Sequence, residues 1–181
     1  ILTKAAGADI HPLSAKLLWQ DTDELVEQVA LVNGRVQVKM GRSQGNALIA
    51  VYDKANPNAE DAKVLWSWHL WCTATPKILE FVTSIYTGNN YKVMDRNLGA
   101  TATKAYLGTV QGLHYQWGRK DPLYPSNGMG NTTKIWYDKE GIPSTANPMK
   151  GTFSAGNDCI KNCILNPNLM HNRYNGDYTY Y

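Results

Sequence analysis

The sequence predicts a mainly β protein: an immunoglobulin-like β-sandwich over residues 10–75, then a small α+β module over residues 76–181. Three observations carry this expectation. Asn33-Gly34 sits between two strand-length runs, which is the strongest short hairpin signal a sequence offers. Apolar residues in the first 75 positions recur at strand periods, with no helical period between them, and five or so short strands at that spacing favour a sandwich. Charged residues are 18% of the chain, below the roughly 25% of ordinary soluble domains, so its polar character comes from Asn, Thr, Ser, Gly and Tyr.

Taken in order, Lys16 to Gln20 is a short apolar run. Val26 to Val32 leads into the Asn33-Gly34 turn, and Arg35 to Met40 alternates polar and apolar with period two. Gly41 to Gly45 reads as a turn. Asn46 to Tyr52 is nearly all apolar, the pattern of a strand buried on both faces. Asp53 to Lys63 is a polar connection through Asn56-Pro57-Asn58. Val64 to Trp71 is a strand that places Trp66, Trp68 and Leu70 on one face and Leu65, Ser67, His69 and Trp71 on the other.

The character changes after Thr75-Pro76. Tyr91 to Asp95 reads as a short strand, and Arg96 to Thr103 as a Gly- and Ala-containing connection. Lys104 to Trp117 is the predicted helix, with Tyr106, Leu107, Val110, Leu113 and Trp117 at near-helical spacing; Gly108 and Gly112 weigh against it. Pro and Gly punctuate Asp121 to Gly156, so that region reads as loop around a short strand at Lys134 to Tyr137. Cys159 to Ile164 is compatible with helix. The start at Ile1 reads as a mature or trimmed piece, and the Tyr-rich end reads as a domain whose remaining core strands lie beyond Tyr181.

Three segments, Trp66-Ser67-Trp68-His69-Leu70-Trp71, Val93-Met94-Asp95-Arg96-Asn97-Leu98-Gly99-Ala100 and Gly112-Leu113-His114-Tyr115-Gln116-Trp117-Gly118-Arg119-Lys120-Asp121-Pro122, occur in that order. Together they resemble a family of Bacteroidetes surface proteins in which a β-sandwich half precedes a module similar to the Fibrobacter succinogenes major paralogous domain. The resemblance implies a C-type-lectin-like second half. It also implies a cell-envelope location, often as a lipoprotein or a fimbria-associated adhesin. Leu123 stands where that family usually has Phe, and the family's later Cys-containing segment has no counterpart before Tyr181.

Candidate sites follow from residue chemistry. Asp95-Arg96 and Arg119-Lys120-Asp121 are read as structural ion pairs that fix the strand to the predicted helix, because a guanidinium fork matches a carboxylate; a polar binding site is the alternative. With Trp66, Trp68 and Trp117 they form the expected structural motif, and Trp66, Trp68 and Trp71 are expected to pack the two halves into one unit. No two of His11, His69, His114 and His171 have metal-ligand spacing, and His69 reads as a packed imidazole with one hydrogen bond. Neither Asp21-Thr22-Asp23-Glu24 nor Asn172 to Asp177 matches a calcium loop, so no metal or other cofactor is expected. Cys159 and Cys163 either pair or remain thiols, and Cys72 reads as a small buried hydrophobe.

The 18 basic residues are scattered and form no phosphate-binding stripe, which argues against a nucleic-acid partner, and no apolar run reaches the roughly 20 residues of a membrane span. Six Trp and eleven Tyr against two Phe give most rings a polar handle suited to half-wet surfaces. Tyr124, Trp136 and Tyr137 lie in loop-rich sequence and are the expected ligand-binding residues. The expected function is adhesion at a cell surface, with a glycan or a protein on a host or neighbouring cell as partner. A fimbrial subunit assembling by strand addition with other envelope subunits is the second expectation. An enzyme on a lectin-like scaffold ranks last, since no nucleophile elbow or activated-cysteine context is present.

Overall fold

The computed structural model describes residues 2–3, 9–82, 90–104, 108–116, 118–123, 136–137, 143–144, 152–154 and 159–172. They make a mainly β structure with several antiparallel sheets and, among the described residues, one short α-helix. The strands are β1 (Leu2–Thr3), β2 (Asp9–Ile10), β3 (Ser14–Gln20), β4 (Val26–Val32), β5 (Arg35–Met40), β6 (Gly45–Tyr52), β7 (Val64–Cys72), β8 (Ile78–Val82), β9 (Asn90–Met94), β10 (Trp136–Tyr137), β11 (Pro143–Ser144), β12 (Thr152–Ser154) and β13 (Met170–Asn172). A 3-10 turn spans Gly108–Val110, and helix α1 spans Cys159–Leu165.

The central sheet has the order β11-β10-β3-β6-β7. Strand β6 is its middle, antiparallel to β3 on one side (Leu17↔Ile49) and to β7 on the other (Ile49↔Trp68). All eight residues of β6 are buried, which is why its sequence lacks a polar face. The expected hairpin forms β4 and β5 with Val32 opposite Arg35, and the turn residues Asn33 (φ 50°) and Gly34 (φ 71°) both adopt the left-handed conformation that matches strand twist.

That hairpin lies across one face of the sheet. Leu17, Leu25, Val26, Ala47 and Ile49 are buried there, with Val29, Val36, Val38, Trp68, Leu70 and Cys72 packed against them. Buried Gln20 accepts a hydrogen bond on its Oε1 from the Val26 N–H at 2.8 Å, next to the bulge where β4 and β5 shift register. On the opposite face Trp19 and Leu48 pack against Leu113 and Leu123, which the chain delivers after β9.

The helix expected over 104–117 is corrected. Its described residues form the 3-10 turn and then an isolated bridge between His114 and Leu123. Gly112 explains the difference, since its φ of +70° leaves the helical region and a Cβ there would lie 2.3 Å from the Leu98 carbonyl oxygen. The Leu113 N–H bonds that same oxygen at 3.0 Å, so the near-helical spacing of Val110 and Leu113 reflects a loop pinned under the sheet. Helix α1, the strand at 90–94 and the pair at 136–137 fall where the sequence places elements.

Candidate functional site

The chemistry-bearing side chains of the described chain meet on the sheet face opposite the β4–β5 hairpin. Strand alternation puts Ser67, His69 and Trp71 on this side of β7, beside Asn46, Leu48 and Ala50 of β6. Asn46 is 2% exposed and organises the upper part. Its backbone N–H donates to Asp21 Oδ1 at 2.6 Å, and its Nδ2 donates to Asp21 Oδ2 at 2.7 Å and to the Gly99 carbonyl at 2.8 Å. With the amide nitrogen committed to donation, Oδ1 must be the acceptor facing His69 Nε2 at 2.9 Å, so that ring nitrogen carries the proton. Burial pushes the His69 pKa down to about 4, with the negative charge of Asp121 opposing, and the imidazole is neutral at pH 7. The single hydrogen bond expected of His69 is the one observed.

Lower on the strand, Ser67 is 1% exposed and its hydroxyl donates to Asp121 Oδ2 at 2.6 Å. Lys120 Nζ lies 2.7 Å from the Ser67 carbonyl, from Ser67 Oγ and from Asp121 Oδ2, and sits 4.5 Å from the centre of the Trp66 ring. Burial lowers the Lys120 pKa and the Asp121 carboxylate opposes that shift. Among the described residues β7 is the last strand of the sheet, and this ammonium bonds one of its carbonyls. A serine between a lysine and an aspartate has the components of an activated nucleophile. Here the hydroxyl is directed at the Asp121 carboxylate beneath the sheet.

Of the expected ion pairs, Arg96 makes a bidentate one with Asp95 and Lys120 pairs with Asp121, while Arg119 bonds backbone carbonyls. Arg96 bonds its own neighbour Asp95 through both carboxylate oxygens, at 2.8 and 3.2 Å, and gives a third bond to Thr73 Oγ1 at 2.8 Å. The Arg96 guanidinium holds the Asp95 carboxyl below its ordinary range. Arg119 donates to the Pro167 carbonyl at 2.6 Å and to the Leu169 carbonyl, fastening the loop before Leu123 to the turn after α1. The expected tie between strand and helix is thus replaced by two local clamps, each closing a chain reversal.

The three tryptophans expected to join the two halves divide between the faces. Trp71 donates its indole N–H to the Ala100 carbonyl at 3.1 Å, whereas Trp66 and Trp68 share the other alternation of β7, Trp66 with Lys120 over its ring and Trp68 in the β4–β5 core. Of the expected ligand-binding residues, Tyr137 is partly buried in β10 opposite Gln20, and Trp136 pairs with Ser144 in the same short strand. Tyr124 and Trp117 lie outside the described residues. Cys72 is a partly buried thiol raised in pKa mainly by burial, and Cys163 is a buried thiol. Sequence reasoning missed the roles of Asp21, Asn46 and Ser67. The one available signal was Asn46 leading an otherwise apolar strand.

Two open clefts flank this framework. One, of about 290 Å³, lies between β3, β4 and the loop at Pro57 and Asn58, where Lys16 Nζ donates to Asn58 Oδ1 at 2.6 Å. The other, of about 370 Å³, lies at the base of β9 between Met94, Arg96, Asn97, Thr103 and Val110. No group of His, Cys, Asp and Glu side chains suited to a metal occurs among the described residues, and none of their helices is long and apolar enough to cross a membrane.

No family model, curated protein or solved structure matches this chain.

Proposed function

We propose that this chain is a cell-surface adhesion or binding module that recognises a glycan or a protein ligand and performs no catalysis. The observation that carries the reading is the placement of the reactive side chains. Ser67, Lys120 and Asp121 bond one another and His69 bonds the Asn46 side chain beneath the sheet, while exposed positions such as Leu79, Phe81 and Tyr91 carry apolar and aromatic side chains. A rigid β framework with loops at its periphery is a common way to present a binding surface. The resemblance of the Trp66–Trp71, Val93–Ala100 and Gly112–Pro122 segments to Bacteroidetes surface proteins supports an outer-surface location. It also supports an immunoglobulin-like sandwich at 10–75 followed by a lectin-like module at 76–181.

Tyr124, Trp136 and Tyr137 are the residues we assign to ligand contact. The test is a glycan array and a host-protein array probed with the chain and with Trp136→Ala and Tyr137→Ala variants. Binding that disappears in variants with an unchanged circular dichroism spectrum is the expected result. Binding unaffected by both substitutions would move the site elsewhere, and no binding on either array would sink the adhesin reading. The second reading, a fimbrial subunit, is favoured by one observation, the exposed apolar hairpin formed by β8 and β9.

A further inference from the structure

We infer that the cleft at the base of β9 is a preformed site for a neutral saccharide, held by Asn97 and Thr103 against the closed Asp95–Arg96 pair. Its volume of about 370 Å³ lies at the lower end of the roughly 300–1,000 Å³ of small-ligand sites. Met94 and Val110 give it apolar surface beside those polar groups. The assignment deepens the adhesin reading by naming a ligand class and a place for it, and to that extent rests on that reading.

Both walls of the cleft are fixed within the chain. The Asp95 N–H donates to the Lys77 carbonyl at 2.9 Å, and Arg96 Nη1 donates to Thr73 Oγ1 at 2.8 Å. The loop that follows is pinned to β6 and β7, because the Gly99 carbonyl accepts from the buried Asn46 amide and the Ala100 carbonyl accepts from the Trp71 indole. The Thr101 N–H donates to the Thr109 carbonyl at 3.0 Å and Asn97 Nδ2 to the Val110 carbonyl at 3.1 Å, which tie the two walls to each other. A site ordered in advance loses little conformational freedom when a ligand enters, so a few contacts suffice.

The lining selects against charged ligands. Arg96 commits Nε and Nη2 to Asp95 and Nη1 to Thr73, and the side chains of the pair are only 8% and 12% exposed. A carboxylate or phosphate would have to displace the bidentate Asp95 carboxylate to reach the guanidinium. Directional, uncharged capacity is what the cleft offers. Asn97 and Thr103 are exposed, Asn97 Oδ1 is an acceptor because Nδ2 is given to Val110, and the Thr103 hydroxyl both donates and accepts and has no hydrogen bond among the described residues. Such groups match adjacent hydroxyls of a sugar ring, while the thioether chain of Met94 and the Val110 side chain suit its C–H face. No aromatic ring occurs among the described lining residues, so a planar base would find no stacking partner there.

Nuclear magnetic resonance of the isotope-labelled chain, titrated with methyl α-mannoside, methyl β-galactoside and N-acetylglucosamine and with glucuronate as the acidic counterpart, tests the site. Saturable shifts of the Asn97 side-chain amide and the Thr103 backbone amide are expected with a neutral sugar and not with glucuronate. Thr103→Val removes a hydroxyl at an exposed position and should weaken that binding about tenfold. Ala102→Phe, which fills the cleft, should abolish it. Unmoved signals with every neutral sugar, an equal response to glucuronate, or shifts that survive both substitutions overturn the inference. Binding on the glycan array with the cleft signals unmoved overturns the site and leaves the adhesin reading standing, whereas absence of both overturns the two together.

Discussion

Strand β6 and hairpin β8–β9 are built from similar apolar side chains and end in opposite environments. All eight residues of β6 are buried, whereas every hairpin residue whose burial is described is exposed. Local composition cannot account for this, because Leu-Ile-Ala-Val and Ile-Leu-Glu-Phe both suit strands. What differs is cover: β6 has strands on both sides, the β4–β5 hairpin on one face and Leu113 and Leu123 on the other. An apolar strand is thus a demand for cover, met within the chain for β6 and not met by the described residues for β8–β9.

The contrast breaks most visibly at Trp19, which is 0% exposed at the centre of one core cluster. Trp19→Ala should lower stability in urea by about 3–5 kcal/mol, the range for emptying a large aromatic site. If it unfolds no more easily than wild type, the sheet face is not the core described above.

The next effect is pH dependence. The folded His69 pKa of about 4 lies below the unfolded value near 6.5, so the native state binds fewer protons between these two values. Stability contributed by neutral His69 is present above about pH 6.5, is lost as pH falls, and stops changing below about pH 4. The full swing is on the order of 3 kcal/mol. Denaturation midpoints measured from pH 7.5 to 4 should show the slope, and His69→Gln should flatten it; an equal slope in that variant would assign the loss to other groups.

Asn46→Ala should cost about 1–3 kcal/mol, because it leaves the Asp21 carboxylate, the Gly99 carbonyl and the His69 N–H short of partners in a buried site. Nuclear magnetic resonance should then show a changed His69 ring environment, and an unmoved ring would contradict the bond. The smallest effect should come from the other region: Phe81→Ser in dilute solution should shift the midpoint by no more than about 0.5 kcal/mol, as for exposed positions generally. A loss of several kcal/mol would mean that the hairpin packs against its own chain.

The sequence by itself determined the elements whose instruction is local. Asn33-Gly34 specifies a turn because both positions must take positive φ, and the apolar run from Ala47 to Tyr52 specifies a strand covered on both faces. The alternation from Trp66 to Trp71 likewise separates Trp68 from His69. Tertiary structure decided everything that depends on where a distant segment arrives. Gly112 turned the apparent helical period of Val110 and Leu113 into a loop, because a carbonyl from Leu98 occupies the space a side chain would need. Asp21, Asn46 and His69 lie up to 48 positions apart, and Ser67 and Asp121 are 54 apart, so only strand pairing could reveal that they bond. Hydrogen bonds act over about 3 Å, and a sequence records neighbours along the chain rather than across it.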